Sequence, residues 1–322
     1  MQKILFLLIS FLPTIVVAQS GLNKVGTAGA QFLKINVSAH AMGMGGAFTA
    51  ITDDATATFW NPAAMTRIKN FNITFSYTRW IADINHQAVA IAKNFDQFGA
   101  IGFSLIRLGT EQMEITTTTQ QEGTGEFFSY QDVAIGLSYA KQFTDKFSVG
   151  GTIKFIDQQI YTLHARGFAF DIATYYRIGF KTVRLVMALR NFGADIKFGG
   201  SYTDTVVKGL FRESRTFDYG EYPLPFTFNL GLAGEVIDYK AMVLTAAIEA
   251  IYLNDYTERV NLGMDLKILD IISLRLGYKI NHEREDFSTG IGFNYKNIRF
   301  DYAYVNMDVF DNVNTFSVGY SF

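Results

Sequence analysis

Much of the chain consists of segments in which apolar and polar positions alternate. Along 313–322, Phe, Val and Tyr side chains occupy one face of an extended strand, and Thr, Ser and Gly occupy the other. Residues 260–268, 274–280 and 298–304 repeat the pattern, with charged or small residues on the second face. A period of two is typical of a β-strand with one apolar face. In a transmembrane β-barrel that face would meet lipid, while the other face would line the lumen.

Fourteen strands follow from this alternation and from the turn signals between the segments. Many of them reach about 10 residues, whereas typical strands are ~5–6 residues long. An even number is expected of a bacterial barrel whose two ends lie on the periplasmic side. The predicted fold is therefore all-β, a 14-stranded antiparallel transmembrane β-barrel with an N-terminal plug segment in the lumen. The predicted strands are 71–80, 84–93, 98–107, 127–142, 146–158, 164–177, 182–192, 222–235, 241–252, 258–268, 271–280, 286–295, 297–306 and 313–322.

Short and long connections alternate along the predicted barrel. One set consists of turns of a few residues, such as 94–97 and 143–145, and the other set contains 108–126 and 193–221. Outer-membrane barrels combine short periplasmic turns with longer extracellular loops. We therefore expect 108–126 and 193–221 on the outside of the cell, where they could form a partner surface.

Both ends of the chain point to export. Residues 1–18 have the organisation of a secretory signal peptide, with Lys3, an apolar core and small residues before the cleavage site. Tyr320 and Phe322 share the apolar face of the terminal strand, which resembles the signal that outer-membrane barrels present to their insertion machinery. We expect the protein in the outer membrane of a Gram-negative bacterium, in contact with outer-membrane lipid.

The composition narrows the classes of function. Aromatic residues make up 15% of the chain, and there are 28 Gly but 4 Pro, as a β-rich chain requires. A formal net charge of −2 gives no basic surplus for binding nucleic acid. The chain has no Cys, which excludes disulfides and thiol catalysis, and none of its 4 His pairs convincingly with a Ser. We predict no catalytic residue, no metal and no cofactor.

Residues 19–70 lack the alternation and form the predicted plug segment, which precedes the barrel domain, 71–322. Gly43, Gly45 and Gly46 would let the plug backbone bend or pack closely. Fourteen strands enclose an interior wide enough to admit such a segment.

Two polar motifs of the plug predict local capping. Asp53 and Asp54 would cap a turn, and a cation site built from their carboxylates is the weaker alternative. Asn61 would cap a helix that begins at Pro62 and Ala63, because Asn accepts from orphan N–H groups and Pro is pre-set for the first helical position.

Charged positions on the lumen faces have mixed signs. Mixed signs favour a cross-strand network that anchors the plug over a solute pathway. These positions are Arg184, Arg190, Glu249, Asp265, Lys267, Arg275, Lys279, Arg299 and Asp301. Aromatic residues at the predicted strand ends favour interfacial girdles over a sugar-binding platform. Examples are Tyr77, Trp80, Tyr175, Tyr176, Tyr252 and Tyr256.

Both ends of the mature chain carry a family resemblance. The runs FLKI at 32–35, SAHAMGMGGAF at 38–48 and WNPA at 60–63 are similar to the N-terminal segment of the PorV/PorQ family, and LRLGYK at 274–279 and DYAY at 301–304 are similar to its C-terminal strands. That family belongs to the wider FadL-like class of outer-membrane barrels.

The resemblance implies a component of the type IX protein secretion system. PorV-like members receive cargo from the secretion translocon through the cargo C-terminal domains and pass it to a surface attachment complex, and PorQ-like members belong to that attachment machinery. It therefore implies a protein-binding barrel and not an enzyme. One departure is His40, where the family usually has Arg. The alternative, implied by the wider class, is a passive transporter of hydrophobic small molecules.

Overall fold

The structure is a computed structural model that describes residues 24–208, 211–282, 284–308, 310 and 312–322. The predicted signal peptide, 1–18, lies outside these residues. Fourteen antiparallel strands of the described part form a closed barrel, in which the last strand pairs with the first. The predicted fold class is confirmed.

The strands follow the chain in order. They are β1 (Phe71–Arg79), β2 (Asn85–Asn94), β3 (Ala100–Gly109), β4 (Met113–Glu114), β5 (Phe127–Phe128), β6 (Tyr130–Thr144), β7 (Phe147–Ile160), β8 (Leu163–Arg177), β9 (Arg184–Gly193), β10 (Ser201–Lys208), β11 (Phe211–Asp218), β12 (Thr227–Tyr239), β13 (Met242–Leu253), β14 (Arg259–Ile268), β15 (Ile272–Ile280), β16 (Phe287–Tyr295), β17 (Ile298–Val305) and β18 (Val313–Ser321). Strands β4 and β5 form one hairpin outside the barrel wall, and β10 and β11 form another.

The barrel strands end within three residues of their predicted ends, with the exception of β12. The prediction placed this strand at 222–235, but it begins at Thr227, because Pro223 and Pro225 have no N–H group to donate to a ladder. It then continues to Tyr239 through a register shift after Glu235. The hairpin of β10 and β11, and strand β4, lie within connections for which no strand was predicted, whereas β5 covers the first two residues of the predicted strand 127–142.

Side chains alternate between the two sides of the wall as predicted. In β15, Leu274, Leu276 and Tyr278 point outward and are exposed, whereas Arg275 and Lys279 point inward and are buried. The apolar faces therefore form the outer surface of the barrel, and the charged faces line its lumen.

The predicted aromatic girdle is wrong for three of its members, Tyr175, Trp80 and Tyr256, and Tyr256 lines a cavity inside the barrel. Tyr176 is exposed on the outer face, but the neighbouring Tyr175 is buried in the lumen, where the Arg67 guanidinium lies 5.1 Å from its ring centroid. Consecutive residues of a strand point to opposite faces, so both tyrosines cannot reach lipid. Trp80 follows β1 and packs against a buried cluster that includes Met42.

Residues 24–70, called the plug from here on, fill the lumen with short helices. Two are 3₁₀ helices (Gln31–Lys34 and Pro62–Arg67) and two are α-helices (Ala39–Gly43 and Ala57–Trp60). The largest buried cluster joins plug side chains to inward alanines of the wall. Among the described residues, no helix is long and apolar enough to cross a membrane.

Candidate functional site

The WNPA run of the plug forms a capped turn. The Asn61 side chain accepts a hydrogen bond from the Ala63 N–H at 3.1 Å, and Pro62 opens the 3₁₀ helix that follows. Asn61 also donates from Nδ2 to the Thr49 carbonyl at 3.1 Å. One buried side chain thus caps a helix and ties together two turns of the plug.

The two aspartates of the plug have different surroundings. Asp54 is buried, accepts a hydrogen bond from the Thr56 N–H at 2.9 Å and forms an ion pair with Arg299 of β17. Asp53 is exposed and lines a polar cavity of about 520 Å³ between the plug and the wall, which extends to Phe322. No cluster of His, Cys, Asp or Glu within the described part of the chain could hold a metal ion.

The glycines of the plug lie directly against glycines of the wall. Gly45 and Gly46 adopt positive φ angles of 63° and 76°. A Cβ atom on Gly43 would lie 3.0 Å from the Gly290 Cα of β16, and a Cβ atom on Gly277 of β15 would overlap the Gly45 backbone nitrogen. The two backbones can approach this closely only because neither carries a side chain.

Further glycines on the lumen face repeat this arrangement on other strands. A Cβ atom on Gly263 of β14 would lie 2.7 Å from the Met44 carbonyl oxygen. One on Gly150 of β7 would lie 2.5 Å from the Ala63 nitrogen, and one on Gly231 of β12 would lie 2.5 Å from the Thr49 hydroxyl. At these positions the absence of a side chain on the wall glycine leaves room for plug atoms.

Glu249 of β13 is the main acceptor for the plug backbone. Its buried carboxylate accepts hydrogen bonds from the N–H groups of Phe48 and Thr49, both at 3.0 Å, and from the Thr49 hydroxyl at 2.8 Å. Asn229 of β12 donates to the other carboxylate oxygen at 2.6 Å. A carboxylate with four donors compensates much of the cost of its burial.

Two arginines of β9 supply the complementary donors. Arg184 donates from Nε to the Ala50 carbonyl at 2.8 Å, and its Nη1 lies 2.8 Å from Glu235. Arg190 donates to the Phe59 carbonyl at 3.2 Å, and its guanidinium carbon lies 5.1 Å from the Trp60 ring centroid. Wall cations and wall anions therefore both bind plug backbone groups.

His40 joins the plug to the charges of β14 and β15. Its Nε2 lies 3.1 Å from the Asp265 carboxylate, and Arg275 lies 3.6 Å from the same carboxylate. Burial, with a further contribution from Arg275, lowers the pKa of His40, which keeps the imidazole neutral at neutral pH. The neutral imidazole then donates a hydrogen bond from Nε2–H to the Asp265 carboxylate. A positively charged side chain at this position would instead form a salt bridge with it.

The charges continue around the wall to β17. Arg275 pairs with Asp301 at 2.6 Å, and Arg299 pairs with the same aspartate at 2.8 Å and with Asp54 of the plug. These residues form a paired network at the plug surface, as the mixed signs favoured. Sequence reasoning missed a second network, Lys154–Asp171 at 2.6 Å and Lys154–Asn191 at 2.8 Å.

The plug also contacts the seam where β1 pairs with β18. The Ala55 N–H donates to the Asn72 side chain at 2.7 Å, and Asn72 donates to the Ser321 hydroxyl at 2.7 Å. Beside the seam, the Phe322 N–H donates to the Phe71 carbonyl at 2.9 Å. The Phe322 ring packs edge-on against Phe71 and against Tyr320, at centroid distances of 5.3 Å and 4.4 Å.

A second cavity of about 900 Å³ lies between the plug and the loops of the opposite end of the barrel. Much of its lining is apolar, with Trp80, Ile84 and Leu108 among the wall residues. Its polar side contains the ion pair Lys279–Glu285, and burial lowers the pKa of nearby His282 to about 4.

Gly277→Ala tests the backbone contact between plug and wall. The added methyl group would overlap the Gly45 nitrogen, and overpacking of this kind typically costs ~1–3 kcal/mol. We expect a lower free energy of unfolding, measured in detergent by tryptophan fluorescence against denaturant. Gly319→Ala is the control, because its Cβ would meet its nearest neighbour at 3.6 Å. Equal stability of the two variants would contradict the proposed contact.

Glu249→Ala tests the carboxylate that binds the plug backbone. Hydrogen bonds to charged groups contribute ~1.5–3 kcal/mol each, so local opening should become easier by about 3 kcal/mol. The amides of Phe48 and Thr49 should then exchange hydrogen roughly a hundredfold faster, as measured by hydrogen–deuterium exchange. Glu126→Ala, in an exposed loop, is the matched control. Unchanged protection in folded Glu249→Ala protein would refute this role.

Comparison with solved structures shows that the barrel shares the fold of FadL-like outer-membrane channels. The CymD monoaromatic hydrocarbon channel aligns with a TM-score of 0.61 at 12% identity, over 89% of this chain and 98% of that channel. The toluene transporter TodX of Pseudomonas putida aligns with a TM-score of 0.57 at 13% identity, over 87% of this chain and 96% of that transporter. A FadL homologue of Pseudomonas aeruginosa aligns with a TM-score of 0.53 at 13% identity, over 89% of this chain and 98% of that protein.

Sequence comparison identifies the family. No curated protein matches the chain significantly. A family profile described as "Type IX secretion system protein PorV" matches residues 18–220, more than half of the chain. Its members are secretion-system barrels, a non-enzymatic class of membrane protein. The chain is thus an outer-membrane β-barrel that belongs to the PorV family of the type IX secretion system.

Proposed function

We propose that this barrel binds cargo proteins, the translocon or the surface attachment complex of the type IX secretion system through its extracellular face. Cargo would be recognised through its C-terminal domain, in keeping with the family. The observation that carries the proposal is the aromatic hairpin of β10 and β11, which stands on the long loop between β9 and β12.

Aromatic rings run along this hairpin from its root. Tyr202 and Phe217 pair across the hairpin with their rings stacked, at a centroid distance of 5.7 Å, and both are exposed. Tyr219 lies 5.4 Å from the Tyr202 ring and 6.4 Å from the Phe198 ring, which in turn lies 6.2 Å from Tyr222. Exposed aromatic side chains of this kind are the usual anchors of protein interfaces.

The other long loop adds a charge preference. Residues 110–129 include four Glu and neither Lys nor Arg. An acidic loop at the same end of the barrel as an aromatic hairpin favours a partner surface with basic groups around an apolar centre.

The firmly held plug supports an outer-face function over transport through the lumen. Wall side chains bind the plug backbone at Phe48, Thr49, Ala50 and Phe59, and an ion pair holds Asp54. Opening the lumen would break these contacts together, whereas a partner reaches the hairpin without disturbing them.

The proposal predicts that the stacked pair is required for capture of partners. We expect Tyr202→Ser/Phe217→Ser to reduce recovery of the translocon and of exported proteins at least about tenfold, since aromatic anchors often contribute 2 kcal/mol or more. The measurement is mild detergent extraction, affinity capture and quantitative mass spectrometry. Thr203→Ser/Thr216→Ser is the matched control, because this pair occupies the next rung and the opposite face of the same hairpin.

A deletion of 201–218, which joins Gly200 to Tyr219, provides the stronger form of the test. It spares Ile196, which is buried against the wall, whereas a deletion of the whole predicted loop, 193–221, would remove it. Ser201 and Asp218 are Cα partners, so the joined ends already lie close together. Unchanged capture by a folded barrel that lacks the hairpin would overturn this assignment.

The second candidate is passive transport of hydrophobic small molecules, which the largely apolar cavity of about 900 Å³ and the shared fold favour. It predicts that the protein accelerates entry of a monoaromatic hydrocarbon into vesicles, and that Leu108→Arg, which places a charge in the cavity, abolishes the effect. Leu276→Phe, on the lipid face, is the control. Uptake equal to that of protein-free vesicles would remove this candidate.

A further inference from the structure

Four lysines lie over aromatic rings at the end of the barrel that has the short turns, which we assign to the periplasmic side. The Lys93 ammonium lies 5.1 Å from the centroid of the Phe95 ring, and the Lys181 ammonium lies 5.9 Å from that of Phe180. The same arrangement recurs in Lys240 over Tyr239 at 5.1 Å and in Lys296 over Tyr295 at 5.3 Å. The rings themselves are 43–68% exposed. One structural unit therefore repeats at four separate turns.

These four ammonium groups form no ion pair with the part of the chain that the structure describes. Among the described residues, no carboxylate oxygen lies within 4.0 Å of any of them. Cations at the opposite end differ in this respect, because Arg79 pairs with Asp83 at 2.6 Å and Arg166 pairs with Asp157 at 3.1 Å. The periplasmic rim therefore presents positive charge that an external anion can satisfy.

Two of the four pairs directly continue the lipid-facing surface of a strand. Lys93 follows Ile91 on the outward face of β2, and Tyr295 follows Phe293 on the outward face of β16. Exposed aromatic rings at the end of an apolar outer surface are typical of the interface between hydrocarbon and headgroups, and an ammonium group beside such a ring can reach the headgroups. The anion within its reach is the phosphate of a membrane lipid.

We propose that the periplasmic rim is a binding surface for anionic phospholipid headgroups, formed by the pairs Lys93–Phe95, Lys181–Phe180, Lys240–Tyr239 and Lys296–Tyr295. The ring of each pair contacts the lipid where its acyl chains join the glycerol, and the ammonium group binds the phosphate. Four cations that form no ion pair with the described residues favour phosphatidylglycerol over the zwitterionic phosphatidylcholine. This surface lies at the end of the barrel opposite to the partner hairpin and does not depend on the proposed function.

Selective lipid retention tests the proposal. The full chain is reconstituted in vesicles of equal phosphatidylglycerol and phosphatidylcholine and extracted in mild detergent, and the retained lipids are counted by native mass spectrometry. We expect phosphatidylglycerol to be enriched in wild-type protein. The enrichment should fall by about fivefold for each lysine removed in Lys93→Gln, Lys181→Gln, Lys240→Gln and Lys296→Gln, and the combined variant should lose it.

Two controls separate this surface from general charge effects. The four Lys→Arg substitutions combined keep the charge and should keep the enrichment. Arg79→Gln, Arg107→Gln, Arg166→Gln and Lys197→Gln combined remove the same charge from the opposite end and should leave the enrichment unchanged. A heat-dependent shift in gel mobility verifies that each variant is folded.

Two results would overturn the proposal. One is full phosphatidylglycerol enrichment in the folded four-Gln variant. The other is an equal loss in the control from the opposite end, because net charge alone would then explain retention. Inorganic phosphate added in excess should not displace the lipid, since it lacks the acyl chains that the rings hold, and displacement by phosphate would assign the site to the free anion. No secretion partner is present in these measurements, so their failure would leave the proposed function untouched.

Discussion

The plug is irregular backbone inside a barrel, and the rest of the structure depends on how its peptide groups are satisfied. Buried N–H and C=O groups need partners, and the plug helices are too short to provide them internally. The wall supplies the missing partners, with the Glu249 carboxylate for N–H groups and the guanidinium groups of Arg184 and Arg190 for carbonyl oxygens. The charged lumen face that makes the strands amphipathic is therefore also the surface that binds the plug.

The same lumen face must leave room for that backbone. Charged residues and glycines share the inward positions of β14–β16, so that Arg275 is followed on its face by Gly277, against which Gly45 of the plug packs. A large side chain at the glycine position would displace the plug, whereas one at the arginine position completes the ion pair with Asp301. Alternation along one strand thus encodes lipid contact, close packing and charge pairing together.

The alternation of single residues predicted the barrel strands, their number and the side of most of their side chains, because these depend on local periodicity. Local chemistry likewise predicted the cap formed by Asn61. Contacts between distant residues could not be predicted, since His40 and Asp265 are 225 positions apart and a sequence pattern does not give the register between plug and wall. Tyr175 was predicted on the lipid face because it is an aromatic residue at a strand end, although its alternate position relative to Tyr176 places it in the lumen. The irregular register between β8 and β9, where Asn191 adopts a positive φ angle, could not be predicted either, because it does not change the alternation of apolar and polar residues.

The segment that joins the hairpin to β12 is in direct contact with the plug inside the lumen. The Gly29 N–H donates to the Pro223 carbonyl at 3.0 Å, and a Cβ atom on Gly29 would overlap the Tyr222 ring. Tyr222 also donates from its hydroxyl to Gln158 of the wall at 3.1 Å and ends the row of rings that begins on the hairpin. The hairpin is therefore connected to the start of the plug through a row of neighbouring rings and one backbone hydrogen bond. The plug is held at many other points of the wall. This contact therefore anchors the base of the hairpin to a part of the protein that is itself fixed.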